Sequence, residues 1–399
     1  MPLYNSVRLK PVAILLLFLS LARATAADLI TIVGATTADQ PLPQVAGVKN
    51  IEVFHASAGG WTYNHHVDLG AWKKRLYVAW DACEKDEDVG VSRELYATSK
   101  DGLHWSEPKL LFPQGISTAM RMYFFHAPNG HMLAVAGLRT SKDTTSEYKK
   151  GSLIVREIHA DHSLGDVFLL RPPNEVTNTV TIPPLYSSSR DRRFVEACEQ
   201  LLKNKSFLEQ QDYGRLLGNE GMKWHDVNTW SPDEPSRAEF NRFGKAMCFY
   251  HRADGALVGM MKWGWVTLSR DEGKTWSQPV RPPSLVVGMA KVWGERTRAG
   301  KYALFYNPHL LNRFPLVMVH GDDGITFGDM RIVNGERLPL RFPGLYKAEG
   351  QQYVRGISEW SSDGSWKDNG VWVVYSQNKE DIWVSRVPSE SFTRANSAK

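Results

Sequence analysis

Ser269-Arg270-Asp271-Glu272-Gly273-Lys274-Thr275-Trp276 is the stretch that decides the fold. It reads S-x-D-x-G-x-T-W, a tight turn between two strands. Asp271 can fold its carboxylate back onto backbone N–H groups, Gly273 can take positive φ, and Trp276 anchors the turn from beneath. The pattern recurs. Ser99-Lys100-Asp101-Gly102-Leu103-His104-Trp105 is one residue shorter, and Gly321-Asp322-Asp323-Gly324-Ile325-Thr326-Phe327 is a third copy with Gly for Ser and Phe for Trp. Copies of one turn, each closed by an aromatic, signal an array of similar units.

Working outward, apolar runs alternate with turns. Leu76–Trp80, Met132–Ala136, Ala256–Met260, Tyr302–Tyr306 and Val371–Tyr375 read as buried strands, each following a hairpin turn such as Ala127-Pro128-Asn129-Gly130. Aligning those turns puts repeat starts near residues 66, 120, 245, 290 and 354, with room for one more unit around Pro183-Pro184-Leu185-Tyr186. The spacing, roughly 45–65 residues, is that of four-stranded propeller blades. The expected fold is therefore all-β: a six-bladed β-propeller, or seven-bladed if the segment before Trp61 forms its own blade. Otherwise Ile51-Glu52-Val53-Phe54 closes the ring by joining the last blade around Ile382–Ser385. Residues 193–217 break the pattern. Apolar positions at Phe194, Ala197, Cys198, Leu201 and Leu202 keep helical spacing, which predicts a short helical insertion packed on the surface of one blade.

The first 26 residues read as a signal peptide. Arg8 and Lys10 precede the apolar run Val12–Leu19, and Ala24-Thr25-Ala26 offers a cleavage site. The expectation is a secreted or periplasmic protein with one domain over residues 27–399 and no stable membrane insertion. Losing Arg8, Lys10 and Arg23 takes the formal charge from +5 to +2, which gives no ground for a nucleic-acid partner. Three cysteines, Cys83, Cys198 and Cys248, are too few for a disulfide scaffold and match no zinc spacing.

The repeated turn is the motif called an Asp-box. A leader followed by β-repeats with Asp-boxes resembles the sialidase-like, or BNR-repeat, β-propellers over essentially the whole mature chain. Sialidases carry an Arg triad, whose first Arg lies in an F-R-I-P motif, and use a Tyr nucleophile. This chain has Trp61-Thr62-Tyr63-Asn64-His65-His66 instead of F-R-I-P, while Arg355 in Tyr353-Val354-Arg355-Gly356 fits a later triad position. The Asn64-His65-His66 opening and the final blade are similar to propeller lyases and glycosidases acting on rhamnose–glucuronate linkages and on ulvan. That group relies on His, Tyr and Arg lining the funnel. The resemblance implies no required cofactor and admits a structural calcium ion, although the sequence shows no ligand motif for one.

Equivalent positions at the start of the inner strands give a ring of His66, Arg121, Lys245, Lys291 and Arg355. A mouth lined with positive charge focuses an anionic ligand, so the expected partner is an acidic, uronate-containing oligo- or polysaccharide. Strand alternation lets one of His65 and His66 face the funnel, and His66 is preferred. Arg121 and Tyr123 share a face, and Trp293 beside Lys291 offers a surface for a sugar. Asp68, Glu295 and Glu359 form no recognisable carboxylate pair of the kind ordinary glycosidases need, and read as turn or salt-bridge residues. The expected activity is β-elimination at a rhamnosyl–glucuronate type bond. His66 is base, Tyr123 the second proton-transfer group and Arg121 the cation on the carboxylate, while Arg355, Lys291, His65, Lys245 and Trp293 bind substrate. The alternatives are an exo-glycosidase of sialidase type releasing a terminal acidic sugar, and a non-catalytic glycan-binding propeller.

Overall fold

The computed structural model describes residues 29–39, 41–87, 92–116, 118–138, 152–172, 182–208, 210, 247–277 and 279–393. The described residues open with two short strands, β1 (Thr31–Ile32) and β2 (Lys49–Phe54). Antiparallel meanders follow. The first is β3 (Tyr63–Trp72), β4 (Arg75–Cys83), β5 (Ser92–Ser99) and β6 (Lys109–Leu110). The second is β7 (Thr118–His126), β8 (Met132–Leu138), β9 (Leu153–Ile158) and β10 (Leu164–Arg171). The third is β11 (Cys248–His251), β12 (Leu257–Met260) and β13 (Val266–Ser269), extended by a bridge from Val266 to Val280. The fourth is β14 (Trp293–Arg296), β15 (Tyr302–Tyr306), β16 (Leu316–Gly321) and β17 (Thr326–Asn334), and the fifth is β18 (Gln351–Ser362), β19 (Val371–Gln377) and β20 (Asp381–Val387).

The described residues thus fall into five meanders carried by four sheets. β2 pairs with β20, setting Ile51 opposite Val384 and Glu52 opposite Trp383, so the segment before Trp61 completes the last blade. β1 lies parallel to β17 at the edge of the fourth blade. The inner strands β18 and β3 also pair in parallel, at Ile357 with Leu69 and Ser362 with Ala71, which joins the fifth and first blades into one curled eight-stranded sheet. The blade expected around Pro183–Tyr186 is not formed there. Leu185 makes a single bridge to Leu169 on the edge of β10, and a 3-10 turn at Tyr186–Ser188 leads away from it. The two prolines remove the N–H groups a ladder would need.

That turn leads into α1 (Arg192–Lys203), followed by α2 (Lys205–Leu208). Asp191 caps α1, accepting hydrogen bonds from the N–H of Arg193 and Phe194 at 2.9 and 3.2 Å. Phe194, Ala197, Cys198 and Leu201 pack with Tyr123, Phe125 and Leu133 of the second blade, so the insertion is a helix packed on a blade. Residues 211–217 of the expected insertion lie outside the described residues.

The cores lie between blades. Trp80, Val78 and Leu69 of the first blade pack with Val374 and Ile382 of the fifth, and Tyr77 and Ala79 pack with Phe124 and Ala134 of the second. β3, flanked on both faces, is buried along its whole length. The repeated turns close as their chemistry dictates. Asp271 Oδ1 accepts from Thr275 N at 2.8 Å, Ser269 Oγ accepts from Gly273 N at 2.8 Å, and Trp276 Nε1 donates to the Gly273 carbonyl at 3.1 Å. Asp101 holds the N–H groups of Leu103 and His104, and Asp323 those of Ile325 and Thr326. Cys83, Cys198 and Cys248 are all buried and form no disulfide with one another. No helix of the described residues is long and apolar enough to cross a membrane.

Candidate active site

Three inner strands are bulged at the same depth. The register slips between His65 and Asp68 in β3, between Ala119 and Tyr123 in β7, and between Gln352 and Arg355 in β18. At two of these bulges a non-glycine residue takes positive φ: His66 at 51° and Tyr353 at 60°. A bulge cancels strict alternation and re-aims side chains. Both histidines therefore turn toward Tyr353, not one as alternation predicts. Their ring centroids lie 5.4 Å (His65) and 4.9 Å (His66) from the Tyr353 ring, and 3.9 Å from each other.

Cations surround Tyr353. Lys262 Nζ donates to its hydroxyl at 3.3 Å, and Lys291, Arg313 and Lys379 lie 4.6, 5.2 and 5.5 Å from its ring centre. Burial alone would raise the phenol's pKa, but Lys262, Lys379 and Arg313 bring it down to about 8. A second tyrosine has the opposite environment. Tyr63 is fully buried, donates to Glu87 Oε2 at 2.8 Å and accepts from Lys379 Nζ at 2.9 Å. Burial and the Glu87 charge push its pKa well above the ordinary phenol value. Tyr353 is thus the phenol poised to ionise, while Tyr63 keeps its proton.

Glu87 links the two groups. Its Oε1 lies 3.3 Å from His65 Nε2 and 3.9 Å from His66 Nε2, and its Oε2 lies 3.5 Å from Lys379 Nζ. Burial opposes its charge, but the imidazoles and Lys379 hold the carboxyl well below the usual carboxylate range. Burial lowers His65 to about 4, with Glu87 opposing, and takes His66 well below its ordinary value. Both imidazoles are neutral at neutral pH. Burial also lowers Lys291, reinforced by Arg355 and Lys262.

A second layer lies beneath. Arg355 Nε sits 2.9 Å from Asp68 Oδ1, its guanidinium lies 5.4 Å from the Trp293 ring centre, and it donates to Gln210 Oε1. Burial raises Asp68 to about 6 even with Arg355 beside it. Trp293 is buried, with its Nε1 donating to Glu295 Oε2 at 2.7 Å, so its ring supports Arg355 and offers no exposed face to a sugar.

Of the residues predicted from sequence, His65, His66 and Lys291 come together around Tyr353, and Arg355 lies directly below. Tyr123 stands apart: its hydroxyl donates to the Leu208 carbonyl at 3.1 Å, and its ring packs on Phe207. Arg121 belongs to β7, but its side chain lies outside the described residues, as does the whole of Lys245. Sequence reading missed Tyr63, Glu87, Lys262, Arg313, Tyr353 and Lys379 as members of the site. Tyr353 had a signal, two residues before Arg355 at a strand start. Lys262, Arg313 and Lys379 come from loops, where no periodicity marks depth.

His65, His66 and Glu87 have ligand atoms within 4.8 Å of one another, as do Glu52, His55 and Asp381. The first trio faces Lys291 and Lys379, whose charge opposes a bound cation. In the second, Arg341 already pairs with Asp381 and bonds His55. Neither offers the oxygen-only shell that calcium takes.

Residues 28–213 match the protein family described as "Beta-prop_BT_1020:-like, N-terminal beta propeller". A solved structure described as "Sialidase" superposes with a TM-score of 0.74 at 30% identity, over 90% of this chain and 35% of its own. This chain therefore spans about a third of that protein's length. The intramolecular trans-sialidase from Ruminococcus gnavus, solved with oseltamivir carboxylate, aligns over 86% of this chain and 98% of its own, with a TM-score of 0.50 at 11% identity. That likeness is one of fold alone. No curated protein matches this chain. The fold is a sialidase-like β-propeller.

Proposed function

We propose that this chain is an exo-glycosidase of sialidase type that releases a terminal acidic sugar. The observation that carries this reading is the Tyr353 phenol, held at about pKa 8 inside a cluster of Lys262, Lys291, Arg313 and Lys379. Those cations suit a sugar carboxylate, and their field would keep an anionic sugar beside a phenol ready to attack. Tyr353 Oη bonds to the anomeric carbon as the glycosidic C–O bond breaks. The leaving oxygen takes a proton from the Lys379 ammonium, whose pKa burial lowers. Water then hydrolyses the glycosyl–tyrosine, with the neutral Lys379 amine taking its proton, which restores Tyr353 and Lys379 and frees the acidic sugar. The 30% identity to a structure described as a sialidase supports this reading over elimination.

The lyase reading keeps one specific support. His66 is neutral, its Nδ1 has no hydrogen-bond partner among the described residues, and its ring lies 4.9 Å from Tyr353. It could remove the C5 proton of a uronate whose carboxylate the cations neutralise. One experiment separates the two. The protein is incubated with glycans ending in uronic or ulosonic acids and with internal-uronate polysaccharides. Release of a saturated acidic monosaccharide supports the glycosidase, whereas an unsaturated uronate seen by ultraviolet absorbance replaces it with the lyase. Binding without turnover would leave a glycan-binding propeller.

A further inference from the structure

The charged cluster opens to solvent on one side. Tyr353, Lys291 and Lys379 are buried, whereas Lys262 and Arg313 are half-buried, so the opening lies beside those two cations. The loops that carry the cluster are stitched side by side. Trp263 N donates to the Gly288 carbonyl at 3.1 Å, Gly288 N donates to the His309 carbonyl at 3.0 Å, and Arg313 bridges to Gly350. Lys262, Lys291, Arg313 and Tyr353 all lie within three residues of one of these contacts. Across from them, the N–H groups of Leu345 and Tyr346 donate to the carboxylate of Asp86, the neighbour of Glu87.

These loops carry an apolar collar. Met289, Leu310, Leu311, Leu345 and Tyr346 are five of the nine large apolar side chains exposed among the described residues, Leu311 at 90% and Leu345 at 82%. Single exposed apolar residues are ordinary, but a group gathered on one rim marks an interaction site. The backbone beneath is pinned. His309 Nδ1 accepts from the N–H of Leu311 and Asn312 at 2.9 and 3.0 Å. Lys347, next to Tyr346, donates to the Thr62 carbonyl at 2.6 Å and to Glu380 Oε1 at 3.2 Å. The collar is more aliphatic than aromatic, which suits an alkyl chain better than a sugar ring. Below it, Lys262 bonds the Tyr353 hydroxyl and Arg313 the Gln352 side chain, and neither pairs with a carboxylate among the described residues. An unmatched cationic floor inside an aliphatic rim complements an amphiphile, anion inward and chain outward. A second copy of this chain would set like charge against like.

Resting on the glycosidase reading above, we infer that the acidic sugar taken up at Tyr353 is joined to an aliphatic aglycone, whose chain lies on Met289, Leu310, Leu311, Leu345 and Tyr346. Titration calorimetry on the full chain tests it. The probes are methyl and octyl glycosides of glucuronic acid and of N-acetylneuraminic acid, kept below micelle-forming concentrations, with octyl glucoside as the uncharged contrast. The two alkyl leaving groups are nearly equal in basicity, so the chain is what differs. For one of the acids, the octyl glycoside should bind about tenfold or more tightly than the methyl glycoside. Leu311→Ser combined with Leu345→Ser should cut that ratio about threefold or more, and octyl glucoside should bind more weakly than the octyl acid. Release of the acidic sugar is followed on the same pairs. Tighter octyl binding without release keeps the collar and ends the glycosidase reading. Equal kcat/KM for the methyl and octyl glycosides ends the collar and keeps the glycosidase. The proposal is also overturned if no octyl glycoside outbinds its methyl counterpart or if the double variant keeps the ratio. Dimerisation, or binding to plain phosphatidylcholine vesicles, that the double variant abolishes would assign the collar to a second copy or a lipid surface instead.

Discussion

Tyr353 and Tyr63 carry the same phenol in adjacent places, and their surroundings drive them apart. Tyr353 lies against Lys262, Lys291, Arg313 and Lys379, whereas Tyr63 keeps its proton and donates a hydrogen bond to Glu87. If Tyr353 must be ionised to act, activity should rise with pH through about 8. It should fall again as Lys379, which burial holds below the ordinary lysine value, loses its proton. Lys262→Met removes the cation 3.3 Å from the hydroxyl and should move the rising limb toward the ordinary phenol value, by about one pH unit. A pH–rate profile with an unmoved midpoint would count against that assignment. His65 makes a separate prediction for stability. Its pKa is about 4 when folded and 6.5 when free, so between those values the unfolded chain binds the extra proton. Stability should therefore fall as pH drops from 6.5 to 4, by about 3 kcal/mol from this residue. His66 acts in the same direction. Denaturant melts across that range check the slope, and His65→Gln should flatten it.

Single elements account for what could and could not be read from sequence. The repeated turns were legible because their chemistry is local: one Asp, one Gly and one aromatic within eight residues. Gly102 shows how tightly such a turn is held. Its φ is 76°, and an added Cβ would lie 2.0 Å from the Trp372 ring. Gly102→Ala should cost about 2–4 kcal/mol and lower the melting temperature, while substrate turnover at permissive temperature stays intact, since the turn is remote from Tyr353. The bulges were not legible. Nothing in His65-His66-Val67-Asp68 announces an extra residue, and period-two reasoning therefore turned one histidine away. Tyr123 failed for a related reason: sharing a strand with Arg121 says nothing about depth, and its ring fills the core under α2.

Across the whole molecule, ring closure was foreseen because β2 has the strand composition to complete a blade near Ile382. The number of blades was less accessible. Hairpin spacing leaves a gap after residue 172, where the described residues Leu185–Ser188 make one bridge and a 3-10 turn. The charge of the site was partly foreseen, through Lys291 and Arg355. Lys262, Arg313 and Lys379 arrive from loops of different meanders and meet at Tyr353. A chain beginning after Phe54 would lose both β1 and β2. It should melt about 10 °C or more below the parent, and an unchanged calorimetric transition would show that closure does not hold the ring.

The most direct test is to trap the glycosyl–enzyme with a fluorinated acidic sugar and map the adduct by peptide mass spectrometry. The prediction is a single label on the tryptic peptide Ala348–Arg355, at Tyr353, and its loss in Tyr353→Phe. A label at Tyr63, or continued turnover of an acidic glycan by Tyr353→Phe, would contradict it.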